Sequence, residues 1–215
     1  MKIRTTEELV DAIAAELSWR RKELTDIRYL VQQATGNRSR QDLMTRAGVA
    51  LLYAHWEGFV KATAESYLQF VAMQRCKNSE LARCMLALMI RTRLSATSAS
   101  KKISTHLELV DFFRSSMKER SALPYKNVIN TESNLSSTVF FEILSTLGFN
   151  TEDYESKTHM IDNQLLAKRN HIAHGSVLDV TVEDYLSIYS GITTLMNNFR
   201  NQVENAALTK QYLSH

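Results

Sequence analysis

The chain has 215 residues, 44% hydrophobic and 23% charged, which is the composition of one ordinary globular domain or at most two small ones and excludes disorder as the default reading. Six glycines and a single proline, Pro124, are too few for the turns of a β-sandwich or barrel and disfavour a glycine-rich nucleotide-binding fold, so the composition points to long helices. The formal net charge is +3, but residues 1–126 hold 21 Lys/Arg against 13 Asp/Glu, and residues 127–215 hold 5 against 10. That asymmetry suits an anionic partner such as nucleic acid for the first part, or equally a solvated helical surface whose two parts neutralise each other.

Thr5 to about Thr35 reads as one long helix. Thr5 and Glu8 make a capping-box pair, Leu9, Ile13, Leu17, Leu24, Ile27 and Val31 keep near-helical spacing, and Gly36-Asn37 stops it. Ser39 with Asp42 is placed to cap a second long helix, about Arg40 to Gln74, whose apolar set includes Leu43, Leu52, Trp56, Phe59, Val60, Tyr67 and Val71. Helices of this length are stable when their apolar face is packed, which predicts an antiparallel pair. Gly58 inside the second helix costs about 1 kcal/mol relative to Ala and signals the close approach of another helix.

Ser79 to about Leu94 predicts a third helix, and the small, polar stretch from Ser95 to Lys102 a flexible connector. Leu107 to about Met117 is helical, and Ser121 to Ser133, with Pro124, Asn127 and Asn130, is irregular. Ser136 or Ser137 starts a short helix through Leu147 that Gly148 closes. About Lys157 to Ala173 forms the next helix, ended by Gly175, with Glu152, Asp153 and Glu155 placed favourably near its N-terminus. Val182 to about Ala207 is the last. There is no internal repeat and no long heptad run. The expected fold is one all-α bundle of long antiparallel helices: core helices at about 5–75 and 156–207, and an inserted helical region at about 79–150.

Cys76 and Cys84 lie eight apart in a stretch read as helical, roughly 12 Å at 1.5 Å per residue and too far for a disulfide. This points to a reducing, cytoplasmic compartment. The opening MKIRTTEELVDAI has no uninterrupted apolar run and does not read as a signal peptide, and no run approaches 18 apolar residues, so no membrane association is expected.

The chemistry concentrates in Lys168-Arg169-Asn170-His171-Ile172-Ala173-His174-Gly175, at the C-terminal end of a predicted helix. Asn170 and His174 share a helix face, and Arg169 lies about 140° around the axis from His174, within reach of its long side chain if the helix unwinds at Gly175. There is no HExxH, the cysteines are far off in sequence, and no Walker, GxSxG or dinucleotide fingerprint is present. No cofactor is expected. What the residues suit is metal-free phosphoryl chemistry on RNA, which carries its own nucleophile in the 2′-OH. Imidazole is a base of near-neutral pKa, a guanidinium binds phosphate, and Asn170 can orient the imidazole or hold a phosphate oxygen. The plain structural alternative is a helix C-terminus carrying cations favourable to its dipole.

Arg169-Asn170-His171-Ile172-Ala173-His174 resembles the RNxxxH form of the motif of HEPN domains, small all-helical proteins of toxin–antitoxin, abortive-infection and CRISPR systems, and Ala173-His174-Gly175 is also typical of them. The stretch from Tyr53 through His55, Trp56, Glu57 and Gly58 to Phe59 resembles the second-helix signature of a bacterial HEPN-like nuclease branch. Trp19-Arg20-Arg21-Lys22-Glu23 and Asn134-Leu135-Ser136-Ser137 look like the same branch, so the resemblance spans about residues 8 to 205.

The resemblance implies a HEPN-like bundle and a metal-independent endoribonuclease, working as a homodimer with its two motifs facing across a composite cleft. Its role would be that of a toxin or anti-phage defence effector, with RNA as substrate and an antitoxin or other defence-system protein as partner. Arg169 and His174 match the family's catalytic pair and Asn170 its frequent polar companion. His171 falls among variable positions and is a supporting candidate. Some HEPN proteins with intact motifs act only as binding modules, so a non-catalytic module that binds RNA or a partner protein is the alternative. Among other candidates, Glu57 is expected to pair with Arg20 or to position Arg169. His55, Trp56 and Glu57 are tempting together as a site, although a mid-helix Trp such as Trp56 is read mainly as core. Lys168, together with a basic loop of Arg91, Arg93, Lys101 and Lys102, is expected to grip phosphates without reading sequence. Tyr125, Phe140, Phe141 and Phe149 could stack bases, although core positions explain the Phe residues better.

Overall fold

The protein is described from a computed structural model, which covers residues 2–34, 36–176 and 178–214. Eight α-helices follow one another among these residues: α1 Thr6–Gln33, α2 Arg38–Gln74, α3 Arg83–Ala99, α4 Ile103–Ser115, α5 Ser137–Leu147, α6 Glu152–Glu155, α7 Ala167–Ala173 and α8 Val182–Leu208. Short 3₁₀ turns occupy Asn78–Glu80 and Ser116–Lys118, and a π-helical segment, Met160–Leu166, leads directly into α7. Among the described residues extended pairing is limited to two isolated bridges, Lys77 with Arg120 and Leu81 with Leu213. The fold is all-α, as the composition predicts.

Local chemistry sets most helix ends. Thr5 caps α1 and Glu8 returns the bond to the Thr5 backbone; Thr181 and Asp184 do the same for α8. Ser136 caps α5 through the Val139 N–H, and Gly148 ends it at φ +77°. The cap of α2 is Asn37, whose side-chain oxygen accepts from the Arg40 N–H at 3.0 Å. Ser39, expected in that role, lies inside the first turn.

The four residues between α1 and α2 leave no room for a crossover, so the two pack as a hairpin, and α8 lies against both. Buried Leu9, Ile13, Leu17, Leu24 and Val31 of α1 meet Leu52, Trp56, Phe59 and Val60 of α2 and Tyr185, Ile188, Ile192 and Phe199 of α8 in one core. Fully burying such a side chain contributes about 1.5–3 kcal/mol. At Gly48 α2 is packed tightly on α8: a Cβ there would stand 2.6 Å from the buried Tyr185 ring. At Gly58 the neighbour is of a different kind, because a Cβ would meet the end of the flexible Arg20 side chain, its guanidinium at 3.0 Å, and not a buried ring. Phe140 of α5 joins the middle region to this core, with ring centroids 5.1 Å from Trp56, 5.0 Å from Tyr154 and 5.7 Å from Phe199. Phe140 and Phe149 are therefore core, as their helix positions suggest.

Two expectations are corrected in the middle of the chain. The Ser/Thr/Ala stretch is not a connector: α3 continues through it to Ala99, with Ser95 and Thr97 hydroxyls bonded back to the Arg91 and Arg93 carbonyls at 3.0 and 2.8 Å. These hydroxyls satisfy the helix they were expected to break. Cys76 and Cys84 do not share a helix either; the 3₁₀ turn at Asn78–Glu80 separates them, and both are free thiols.

The motif helix is also more segmented than its sequence suggests. Glu152, Asp153 and Glu155 form their own turn, α6, and the π segment widens the backbone before α7. Asp162 of that segment accepts from the Ser137 N–H at 2.7 Å and from its hydroxyl at 2.5 Å, which holds the segment to the start of α5.

Candidate active site

Arg169 is braced from three elements. From α2, Glu57 stands 3.8 Å from its Nη2 and the Tyr53 ring lies under the guanidinium at 4.0 Å. From α7 itself, Asn170 Oδ1 accepts from Nη1 at 2.7 Å. From the segment before α5, Asn134 Oδ1 accepts from Nη1 at 3.0 Å and the Ser133 carbonyl from Nη2 at 3.2 Å. That segment takes this shape because Glu132 and Ser133 sit at φ +52° and +63°, a left-handed conformation that costs non-glycine residues energy. The Asn130 side chain, accepting from the Glu132 N–H at 2.9 Å, helps hold it.

A second tier fixes the brace. Thr131 donates its hydroxyl hydrogen to Glu57 Oε1 at 2.5 Å, and the Leu135 N–H donates to the Tyr53 hydroxyl at 2.6 Å. Burial, reinforced by hydrogen bonding to Glu57, pushes the Tyr53 phenol up to about 12, so the ring beneath Arg169 stays neutral. Both Arg169 and Glu57 are about one-fifth exposed, so their attraction is less screened than that of a surface pair.

His174 is the C-cap of α7 and is exposed. Its backbone N–H bonds to the Asn170 carbonyl at 3.0 Å, Gly175 follows at φ +69°, and the Ser176 N–H closes back on the His171 carbonyl at 2.9 Å. The helix thus unwinds at His174, and the imidazole has no side-chain partner among the described residues. His171 is likewise exposed and unpartnered through its ring. Two roles were read for Asn170 in sequence, orienting the imidazole or holding a phosphate oxygen; here its side-chain oxygen accepts from Arg169 and does not touch the imidazole.

The remaining candidates separate. Glu57 pairs with Arg169, and Arg20 with Glu16 at 3.0 Å, so of the two partners expected for Glu57 the structure selects the motif arginine. His55 is buried and paired with Glu23 at 2.9 Å, and Trp56 is fully buried. Lys168 neighbours Arg169 on α7 and is half-buried. The four other cations do not form a loop: Arg91 and Arg93 are on α3, where Arg91 donates to the Val128 carbonyl at 3.1 Å and Arg93 stacks on Phe112 at 4.8 Å, and only Lys101 and Lys102 lie between helices. None of their recorded contacts reaches the Arg169 cluster.

Sequence reasoning missed Tyr53, Thr131 and Asn134 as members of the site. Tyr53 was open to discovery, being four residues before Glu57 and so on its helix face. Thr131 is brought in by a non-local turn with no local signature, and the same turn brings in Asn134, which the sequence marked only as part of the Asn134–Ser137 stretch. Among the described residues no cluster of His, Cys, Asp or Glu is arranged to hold a metal ion, and no helix is long and apolar enough to cross a membrane.

The family model described as RiboL-PSP-HEPN matches residues 15–205. No curated protein and no solved structure matches the chain.

Proposed function

This chain belongs to the RiboL-PSP-HEPN family, and from that premise, which points to a nuclease or an RNA-binding module, we propose a metal-independent endoribonuclease. The observation that carries it is the pairing of a guanidinium braced by α2, α7 and the 131–134 turn with an exposed, unpartnered imidazole five residues on. His174 removes the proton of a ribose 2′-OH, the oxygen attacks the adjacent phosphorus, and the P–O5′ bond breaks as the leaving oxygen takes up a proton. The products carry a 2′,3′-cyclic phosphate and a 5′-OH. Arg169 balances the charge that builds on the phosphoryl oxygens. Both of its terminal nitrogens are engaged within the chain, so phosphate approaches along the free Nε–H edge or replaces Asn134.

In this reading the whole chain is one domain, its middle region (about 79–150) serves to brace the motif arginine, and the protein acts in the cytoplasm. The biological role is that of a toxin or defence effector, held in check by an antitoxin or other defence-system protein; the resemblance to HEPN proteins of such systems supports it. The saturated Arg169 also favours a second reading, in which the arginine is a structural anchor and the protein binds RNA or a partner without cutting.

The test is cleavage of RNA by purified protein in excess EDTA. Cleavage is expected to persist and to leave cyclic phosphate ends, and His174→Ala is expected to lower the rate by about 10²–10⁴ while the helical circular dichroism is unchanged. Activity that is abolished by chelator and restored by a divalent ion overturns the mechanism, as does a folded His174→Ala protein that cuts at the parental rate.

A further inference from the structure

Beside the motif, on the first turns of α2, lies a groove of about 850 Å³ that the reaction as written does not use. Its floor is apolar: Leu43, 61% exposed, and Ala47 from α2, and Ile172 from α7. Its charged wall is Arg38, Asp42 and Arg46. Leu43, Arg46 and Ala47 are three and four residues apart and so share one helix face.

The two arginines differ in what they have left to give. Arg38 is charge-compensated, with Asp42 at 3.1 Å and Asp179 at 2.8 Å. Arg46 has no carboxylate partner among the described residues; its one recorded bond is from Nη2 to the Ser176 carbonyl at 3.3 Å. That bond anchors the guanidinium two residues from His174 and leaves most of its five donors free. Since Glu57 stands beside Arg169, Arg46 is the uncompensated guanidinium tied to the motif turn. A fixed, unpaired cation over an apolar floor, in a volume of ligand-pocket size, matches a ligand with one anionic and one flat apolar part.

We propose that this groove seats a nucleotide of the RNA strand next to the scissile phosphate, with its phosphate on Arg46 and its base against Leu43, Ala47 and Ile172. The inference rests on the ribonuclease reading and deepens it, giving the strand a track from the α2 N-terminus to His174. No aromatic ring or base-reading amide lines the floor, so the subsite holds any base and sets affinity, not sequence preference.

The test uses the full-length His174→Ala protein, which holds RNA uncut, and a fluorescently labelled single-stranded RNA read by anisotropy over a salt series. Adding Arg46→Gln is expected to weaken binding several-fold at low salt and to reduce the slope of log affinity against log salt by about 0.7, the share of one phosphate contact on a single strand. Arg46→Lys is expected to restore the slope. An arginine that merely anchored the Ser176 turn would change the thermal midpoint and leave the slope alone. RNA binding with unchanged affinity and slope in Arg46→Gln overturns the subsite and leaves the ribonuclease reading standing. Arg46→Gln or Leu43→Ser that changes the molecular mass instead assigns the groove to contact with a second copy and also overturns it. A His174→Ala protein that binds no RNA, from a parent that cuts none, refutes the function itself.

Discussion

Two histidines of this chain have opposite fates. His174 ends a helix in the open, whereas His55 is buried in the seam between α1 and α2, 2.9 Å from Glu23 and edge-on to the Trp19 ring at 5.2 Å. Burial and the nearby Arg20 oppose the charged imidazole and Glu23 favours it; burial and Arg20 together outweigh Glu23 and hold the His55 pKa below its ordinary 6.5. The unfolded chain therefore takes up this proton at higher pH than the folded one. The stabilising contribution is complete above about 6.5 and is lost as the pH falls through that value towards the lowered one. Denaturant midpoints at pH 7.5 and 5.5 measure this. The parent is expected to lose stability on acidification, and His55→Gln, although weaker at pH 7.5, to lose less over the same interval. An undiminished pH slope in that variant assigns the effect to another group. The stretch around His55 shows what sequence can convey: the four-residue spacing puts Tyr53 and Glu57 on one helix face and a mid-helix Trp56 reads as core, but only packing tells that the Tyr53–Glu57 face meets the motif and that His55 turns inward.

At the scale of elements, the legible parts were those whose signals are local. Thr5 with Glu8, and Ser136 with Gly148, specify helix ends through bonds spanning three or four residues, and the structure ends α1 and α5 accordingly. The π segment was not legible, because it depends on Asp162 reaching Ser137 across the fold. The 131–134 turn was not, because it places Glu132 and Ser133, neither a glycine, in the left-handed region. Gly58, read in sequence as a close approach, differs from Gly48, which was not, and the difference is testable. A methyl group gains about 1 kcal/mol of helix propensity at either α2 site. At Gly48 it stands 2.6 Å from the rigid, buried Tyr185 ring, and overpacking of that kind costs about 1–3 kcal/mol. At Gly58 it meets only the end of the Arg20 side chain, which can shift. Urea denaturation is expected to show Gly48→Ala destabilised and Gly58→Ala neutral or stabilised; the reverse order would mean that the α2–α8 crossing is not the tight one.

At the scale of the whole molecule, one chain supplies one Arg169 and one His174, yet transfer to the 2′-OH draws on both a base and an acid. A two-fold axis beside α7 would set two His174 side chains in one cleft and let them divide those roles without a second motif in the chain. Two guanidiniums in one cleft repel each other when it is empty, and Glu57, placed against Arg169 and held there by Thr131, offsets that charge within each copy. Neutralising it should then loosen assembly as well as the site. Light scattering is expected to give about twice the chain mass of 24.6 kDa for the parent, and Glu57→Gln to shift the balance towards the single chain. Mixing inactive His174→Ala protein in excess with a small amount of parent is expected to change the specific activity of the parent, because most parent chains are then paired with a chain lacking the imidazole. A single-chain species fully active at nanomolar concentration, or a mixture whose activity follows the amount of parent alone, refutes the composite cleft and leaves each motif to work by itself.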